Sequence, residues 1–391
     1  STTVIRYYVS DSVIQAIVLR KDGRKLIKLN NDGVAEKISQ LLAGKTDEKI
    51  QLRLLNDLYI MLWQPLAASI HTKKVLIIPD GILYNVSFDM LSPGLCSSYK
   101  QLISNSLLSK HTLAYHYSLF MLGQRSPNNI QQNYVAFAPG FSDEVKQTYV
   151  KSAKDSMQLD QQYLQLLPQP NTNKLAKKIK TLLGGDVFLD TNSTQSVFKS
   201  NARGHKIIHI ATHAQYNNVR PERSGLVFAK NTSGEDNYLS LYDLYNCNME
   251  SDLTLLTACE SGRPGYQDGE GMVSLAHAFN YAGSESILTS LWEIDEQSCN
   301  RITELFVENI QDGQATDEAL RNAKLSYLNT YDGRILAPSY WAGLVLMGEP
   351  SVINLKKPSG NIGIIIGALV VAGLLLFFVK QVRKRKGIAR N

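Results

Sequence analysis

Two apolar, β-branched runs set the terms on which this chain can fold. One, KIIHIATH at 206–213, stops at His213; the other, DLTLLTAC at 252–259, stops at Cys259 and gives way to Glu260, Ser261 and Gly262. Runs of this kind read as strands buried on both faces of a parallel sheet, and the carboxyl edge of such a sheet is where reactive side chains are presented. Placed side by side, the two strand ends bring an imidazole and a thiol together. The expectation is a thiol–imidazole dyad of His213 and Cys259.

The surrounding pattern supports an α/β layered sheet. Strands are expected at 4–9, 13–19 and 25–29 as a three-stranded meander, and helices at 35–43 and 48–70, the second carrying Leu52, Leu55, Leu58, Leu62 and Leu66. Short apolar runs at 75–78 and 134–138 read as further strands, each stopped by proline and glycine or aspartate. The polar, glutamine-rich stretch 141–170 has no sustained period and reads as a mobile surface insertion. Beyond it helices are expected at 171–183, 194–203, 271–282, 299–310 and 316–328, alternating with strands at 225–229, 286–292 and 340–347. The segment 239–245 reads as a short helix or turn. This alternation argues for a mostly parallel sheet flanked by helices.

The formal charge of +6 would invite nucleic acid if it were spread over the fold. It sits instead at 380–391, where Lys380, Arg383, Lys384, Arg385, Lys386 and Arg390 occur without an acid. The remainder is close to neutral, and no nucleic-acid partner is expected. Four cysteines in 391 residues show neither a CxxC pair nor metal-type spacing, so they form no disulfide framework. Cys247 and Cys299 lack a strand-end setting and read as packing residues.

Residues 362–379 carry neither a charge nor a strongly polar group, and 18 residues suffice to cross a bilayer core of roughly 30 Å at about 1.5 Å per residue. The expected organisation is an N-terminal β-meander and helix (1–49), an α/β domain (50–355), a linker (356–361), one transmembrane helix (362–379) and a basic tail (380–391). The positive-inside bias places the tail in the cytoplasm and the folded domain on the opposite side, given a signal sequence upstream. The chain starts at Ser1 with no charged and apolar leader pattern behind it, and is read as the C-terminal part of something longer.

His205, His209 and His213 recur every fourth residue, which on a helix would form a metal-binding stripe. In a strand the outer two lie roughly 26 Å apart, at about 3.3 Å per residue, too far for one ion. Ile210 also stands where a zinc peptidase motif needs glutamate. Neither a metal nor another cofactor is expected, and His209 reads as a structural residue beneath the site. Cysteine peptidase chemistry needs a thiolate, a base and donors for an oxyanion. Cys259 and His213 meet the first two needs, and the backbone N–H groups of Cys259 and Ala214, past their strand ends, are candidates for the third. The glycines at 262, 265, 269 and 271 allow a substrate backbone to approach.

The runs at 208–214, 224–228, 253–262 and 269–279, with Ala282-Gly283, 290–292 and 340–342, resemble in order the CHAT family of caspase-like cysteine peptidases, related to separase and the metacaspases. Weaker likeness at 77–81 and 167–168 extends the match over roughly 50–350. The resemblance implies a caspase-like sheet with His213 as general base and Cys259 as nucleophile. Ala214 stands where caspases proper have glycine. By the same resemblance, the acidic segment after the Leu291-Trp292 pair suggests Asp295 or Glu296 as a carboxylate pairing with an arginine or lysine before the scissile bond; a solvated acidic loop is the alternative. Two functions follow. One is a membrane-anchored cysteine endopeptidase that cleaves a protein partner in bacterial signalling or defence, with an upstream helical-repeat sensor module as partner. The other is a scaffold that keeps the fold without turnover.

Overall fold

The computed structural model describes residues 2–10, 12–43, 47–124, 130–153, 159–215, 223–257, 265–267, 271–273 and 275–356. Its strands are β1 (Thr2–Val9), β2 (Ile14–Arg20), β3 (Gly23–Leu29), β4 (Lys74–Ile78), β5 (Thr112–Tyr115), β6 (Gln132–Ala138), β7 (Asp186–Leu189), β8 (His205–Ile210), β9 (His213–Gln215), β10 (Gly225–Val227), β11 (Tyr238–Ser240), β12 (Ser251–Leu256), β13 (Gly265–Gln267), β14 (Gly271–Val273), β15 (Ser284–Ser290) and β16 (Leu344–Gly348). Eleven of them form one sheet in the order β3-β2-β1-β4-β5-β16-β15-β12-β8-β6-β7. The meander at the N-terminus is antiparallel, β2 and β3 being joined by the two-residue turn Lys21-Asp22, but β1 then pairs in parallel with β4. No sheet boundary falls at residue 49, and residues up to Leu355 form one compact unit.

The sheet contains two parallel blocks. β1, β4, β5 and β16 run one way; β15, β12, β8, β6 and β7 run the other. They meet at the antiparallel pair β15 and β16, with Leu288 opposite Leu346. Helix formers with an apolar stripe cover the sheet: Pro170–Leu183 packs on β6 and on Glu296–Gln311, which packs in turn on Thr316–Thr330. β8 and β12 are buried at every position, as central strands of a sheet covered on both faces are.

Several expectations need correction. β8 stops at Ile210, and His213 opens a separate strand in a three-stranded antiparallel sheet, β11-β10-β9, which also takes the strand expected at 225–229. The stretch 141–170, expected to lack periodic structure, holds the helices Asp143–Ser152 and Gln161–Leu164, packed around a cluster of Phe141, Tyr149, Tyr163 and Val227. Widely spaced aromatics rather than an apolar stripe anchor it. The helix expected from 271 is preceded by β14, which pairs with β13, and begins at Leu275. Among the described residues no helix is long and apolar enough to cross a membrane, and the expected span at 362–379, with its tail, lies outside them.

Candidate active site

β6 leads by way of Pro170–Leu183 to β7 at the sheet edge, whereas β8 lies on the other side of β6 and leads toward β12. Strand order therefore reverses between β6 and β8, and the carboxyl ends at such a reversal splay apart and leave a crevice. A cavity of about 640 Å³ opens there, lined by His213, Thr257, Gln169, Glu293, Asp295 and Glu296 among others. Thr257 directly follows β12 and its N–H donates to the Ile210 carbonyl at the end of β8 (3.2 Å). The two runs that point to the dyad are thus neighbouring parallel strands, in register from Leu253 opposite Ile207 to Leu256 opposite Ile210. Cys259, two residues beyond Thr257, lies outside the described residues, as do Gly262 and Gly269.

His213 is half-buried and held on three sides. Its Nε2 lies 2.7 Å from the Leu167 carbonyl oxygen. A carbonyl can only accept, so Nε2 carries the proton and Nδ1 bears the lone pair of the neutral ring. Nδ1 lies 3.5 Å from the Gln169 amide nitrogen. The ring rests on Phe141, with centroids 5.0 Å apart. Burial lowers the imidazole pKa below its ordinary value; the Leu167 carbonyl, Glu296 and Glu293 push it back up, and Lys146 pushes it down. A mostly neutral imidazole with a fixed tautomer is suited to accept a proton.

Leu167, Gln169 and Phe141 all belong to the stretch expected to be a mobile surface insertion. β6 ends at Ala138, and the Pro139-Gly140 turn carries the chain to Phe141, whose φ of 50° lies in a region unfavourable for a bulky residue. Gly140 is needed there: at φ 65°, a Cβ would meet Asn173 Nδ2 at 2.7 Å and Asp190 Oδ1 at 2.9 Å. Beneath the site His209 is fully buried between the Tyr134 hydroxyl (2.8 Å from Nδ1) and Thr257 Oγ1 (3.1 Å from Nε2). It ties β8 to the residue leading toward Cys259, the structural part expected of it.

Asp295 and Glu296 both line the cavity, but each has an internal task. Asp295 caps the helix Glu296–Gln311, accepting from Ser298 N (2.9 Å) and Ser298 Oγ (2.8 Å). Glu296 accepts from Asn171 N (3.2 Å) and Asn171 Nδ2 (3.1 Å), joining that helix to the start of Pro170–Leu183. Glu293 is exposed on the same wall and was not singled out from sequence. Ala214 does not follow a strand end: it stands within β9 opposite Leu226. Among the described residues β9 is an edge strand, and an edge leaves one row of its backbone N–H groups outside the ladder.

The sequence profile of the CHAT domain matches residues 52–349. The chain belongs to the CHAT domain family. Tetratricopeptide repeat protein 28 of Mus musculus is 22% identical over 233 residues, which is 50% of this chain and 9% of that protein. The fold overlays separase in two structures of the Saccharomyces cerevisiae separase–securin complex. In one the TM-score is 0.56 at 8% identity, covering 89% of this chain and 30% of the other; in the second it is 0.54 at 9% identity, covering 90% and 30%. A looser overlay, with a TM-score of 0.44 and 11% identity over 82% of this chain and 75% of the other, is with RgpB of Porphyromonas gingivalis. On the two separase overlays, this CHAT domain has a caspase-like α/β fold. It spans less than a third of the separase chain and about a tenth of the mouse protein it matches.

Proposed function

We propose that this CHAT domain is a cysteine endopeptidase in which His213 takes the proton of Cys259 and the resulting thiolate attacks a peptide carbonyl of a protein partner. One observation carries the reading: His213, with its Nε2 proton committed to Leu167, lines the same cavity as Thr257, two residues before Cys259. In the proposed reaction the S–H bond breaks as an N–H bond forms at Nδ1, the acyl-enzyme forms with loss of the amine, which takes that proton, and water then releases the acid. Backbone N–H groups of Ala214 and Cys259 would hold the oxyanion. The acidic wall of Glu293, Asp295 and Glu296 favours a basic side chain before the scissile bond. Anchoring through 362–379, service in bacterial signalling or defence, and control by a helical-repeat module belong to the same proposal; the repeat module has a parallel in the name of the mouse relative.

Cys259→Ala should abolish both peptide cleavage and labelling by an electrophilic thiol probe, and His213→Ala should lower turnover by about 10²–10⁴-fold, the usual contribution of a general base. A wild-type chain that labels no faster than an unactivated thiol would sink the peptidase reading in favour of a silent scaffold. In a fluorogenic peptide panel, arginine or lysine before the cleaved bond should outperform acidic and aliphatic residues. The reverse order would remove the acidic wall from substrate selection.

A further inference from the structure

Gln169 occupies the N-cap of the helix Pro170–Leu183, where a side-chain oxygen ordinarily accepts from the first-turn N–H groups, yet its side chain makes no such bond. Its backbone is clamped on both sides. The N–H donates to the Gly140 carbonyl (2.7 Å), and the carbonyl accepts from Thr172 Oγ1 (2.7 Å). The side chain, in a residue only 8% exposed, instead presents its amide nitrogen to Nδ1 of His213 at 3.5 Å, and its Oε1 is buried with no hydrogen-bond partner. A buried carbonyl without a donor is costly, and one placed beside a titrating ring asks for an explanation.

The ring supplies one. Because Nε2–H is committed to Leu167, Nδ1 is the nitrogen that gains the proton when the imidazole becomes charged. A carboxamide rotated half a turn about its last bond exchanges its donor for its acceptor without moving its backbone. We propose that Gln169 is a positioning residue of the dyad: its N–H faces Nδ1 of the neutral ring, and after the thiol proton has moved to Nδ1 its Oε1 turns to accept from the new N–H. The carboxamide then stabilises the thiolate–imidazolium pair relative to the neutral pair. No atom is gained or lost; the proton leaves Sγ and stays on Nδ1. This inference rests on the dyad reading above.

The test compares the full chain with its Gln169→Glu, Gln169→Met and His213→Ala variants. The rate of iodoacetamide alkylation is read by mass spectrometry at the peptide carrying Cys259, at pH 6.5 and at pH 10. Gln169→Glu holds a permanent acceptor at Nδ1 and should raise the ratio of the pH 6.5 rate to the pH 10 rate. Gln169→Met, of similar length but with only a weak acceptor, should lower it, each by up to about tenfold, the equivalent of about one pKa unit. A purely structural role would slow alkylation at both pH values or move both variants the same way; either result, or an unchanged ratio in both, overturns the inference while the dyad stands. A wild-type ratio equal to that of His213→Ala overturns the dyad, and the inference with it. Should a variant fold poorly, the imidazole titration of His213 followed by NMR in folded Cys259→Ser and Cys259→Ser/Gln169→Glu chains decides independently: the pKa is higher in the doubly substituted chain or the inference fails.

Discussion

His209 and His213 lie four residues apart and meet opposite fates, because β8 ends between them. His209 is sealed between Tyr134 and Thr257, and burial pushes its pKa down to about 3. Unfolded, the same side chain titrates near about 6.5. Between those values the unfolded chain binds more protons than the folded one, so stability is full above about pH 6.5 and is lost as the pH falls toward 3. Burial lowers His111, His116, His205, His213 and His277 as well, which adds slope of the same sign. Chemical denaturation between pH 7.5 and 4.5 should show steadily falling stability, with a shallower slope in His209→Gln. A slope unchanged by that substitution would mean that His209 is not held neutral by the fold.

At the scale of elements, the most deeply buried ion pair among the described residues joins Lys324, on the helix Thr316–Thr330, to Asp89, in the 3₁₀ turn Phe88–Met90. Lys324 is fully buried, Asp89 nearly so, and the ammonium also lies 5.9 Å from the Trp341 ring centre. Removing one partner strands a buried charge, so Asp89→Ala should destabilise the fold by about 3–5 kcal/mol, and Asp89→Leu/Lys324→Met should recover most of that loss. Equilibrium unfolding in urea measures both; equal stability of the single and double variants would contradict it. Neither residue stands out in sequence, since a single charge on an amphipathic helix or in a short turn reads as solvated. The same limit governed the site. The neighbourhood of β8 and β12 was legible, because short β-branched runs that stop abruptly at small or polar residues read as buried strands, and His213 closes the first of those runs. Leu167 acts through a carbonyl that any residue could supply, and Gln169 through a backbone position set by Gly140. β5 and β7 are four residues each, too short for a periodic signal. The reversed direction of β16 depends on the connection through 333–343 rather than on its own residues.

For the molecule as a whole, the N-terminal meander is the cover of an edge. Without β1 to β3, the buried strand β4 would present its unpaired backbone groups and the face under Ile5 and Tyr7 to water. A chain beginning at Asn30 should aggregate, as light scattering against the full chain would reveal; a monodisperse product would show that β4 tolerates exposure. The proposed anchor at 362–379 has a test of its own, separate from the fold. The 391-residue chain should sediment with phospholipid vesicles and resist high salt, whereas a chain ending at Leu355 should stay in the supernatant. Retention of the shorter chain on vesicles would place the lipid contact elsewhere.

Because the sheet changes direction between β15 and β16, the loop ends that face His213 belong to the carboxyl side of one block and the amino side of the other. The far rim, around Gln124 after β5, is consequently insulated from the chemistry. A reporter domain spliced in beside Gln124 has the whole strand length between itself and the cavity, which makes that rim the natural place to tether, label or immobilise the protein without touching its reactive end.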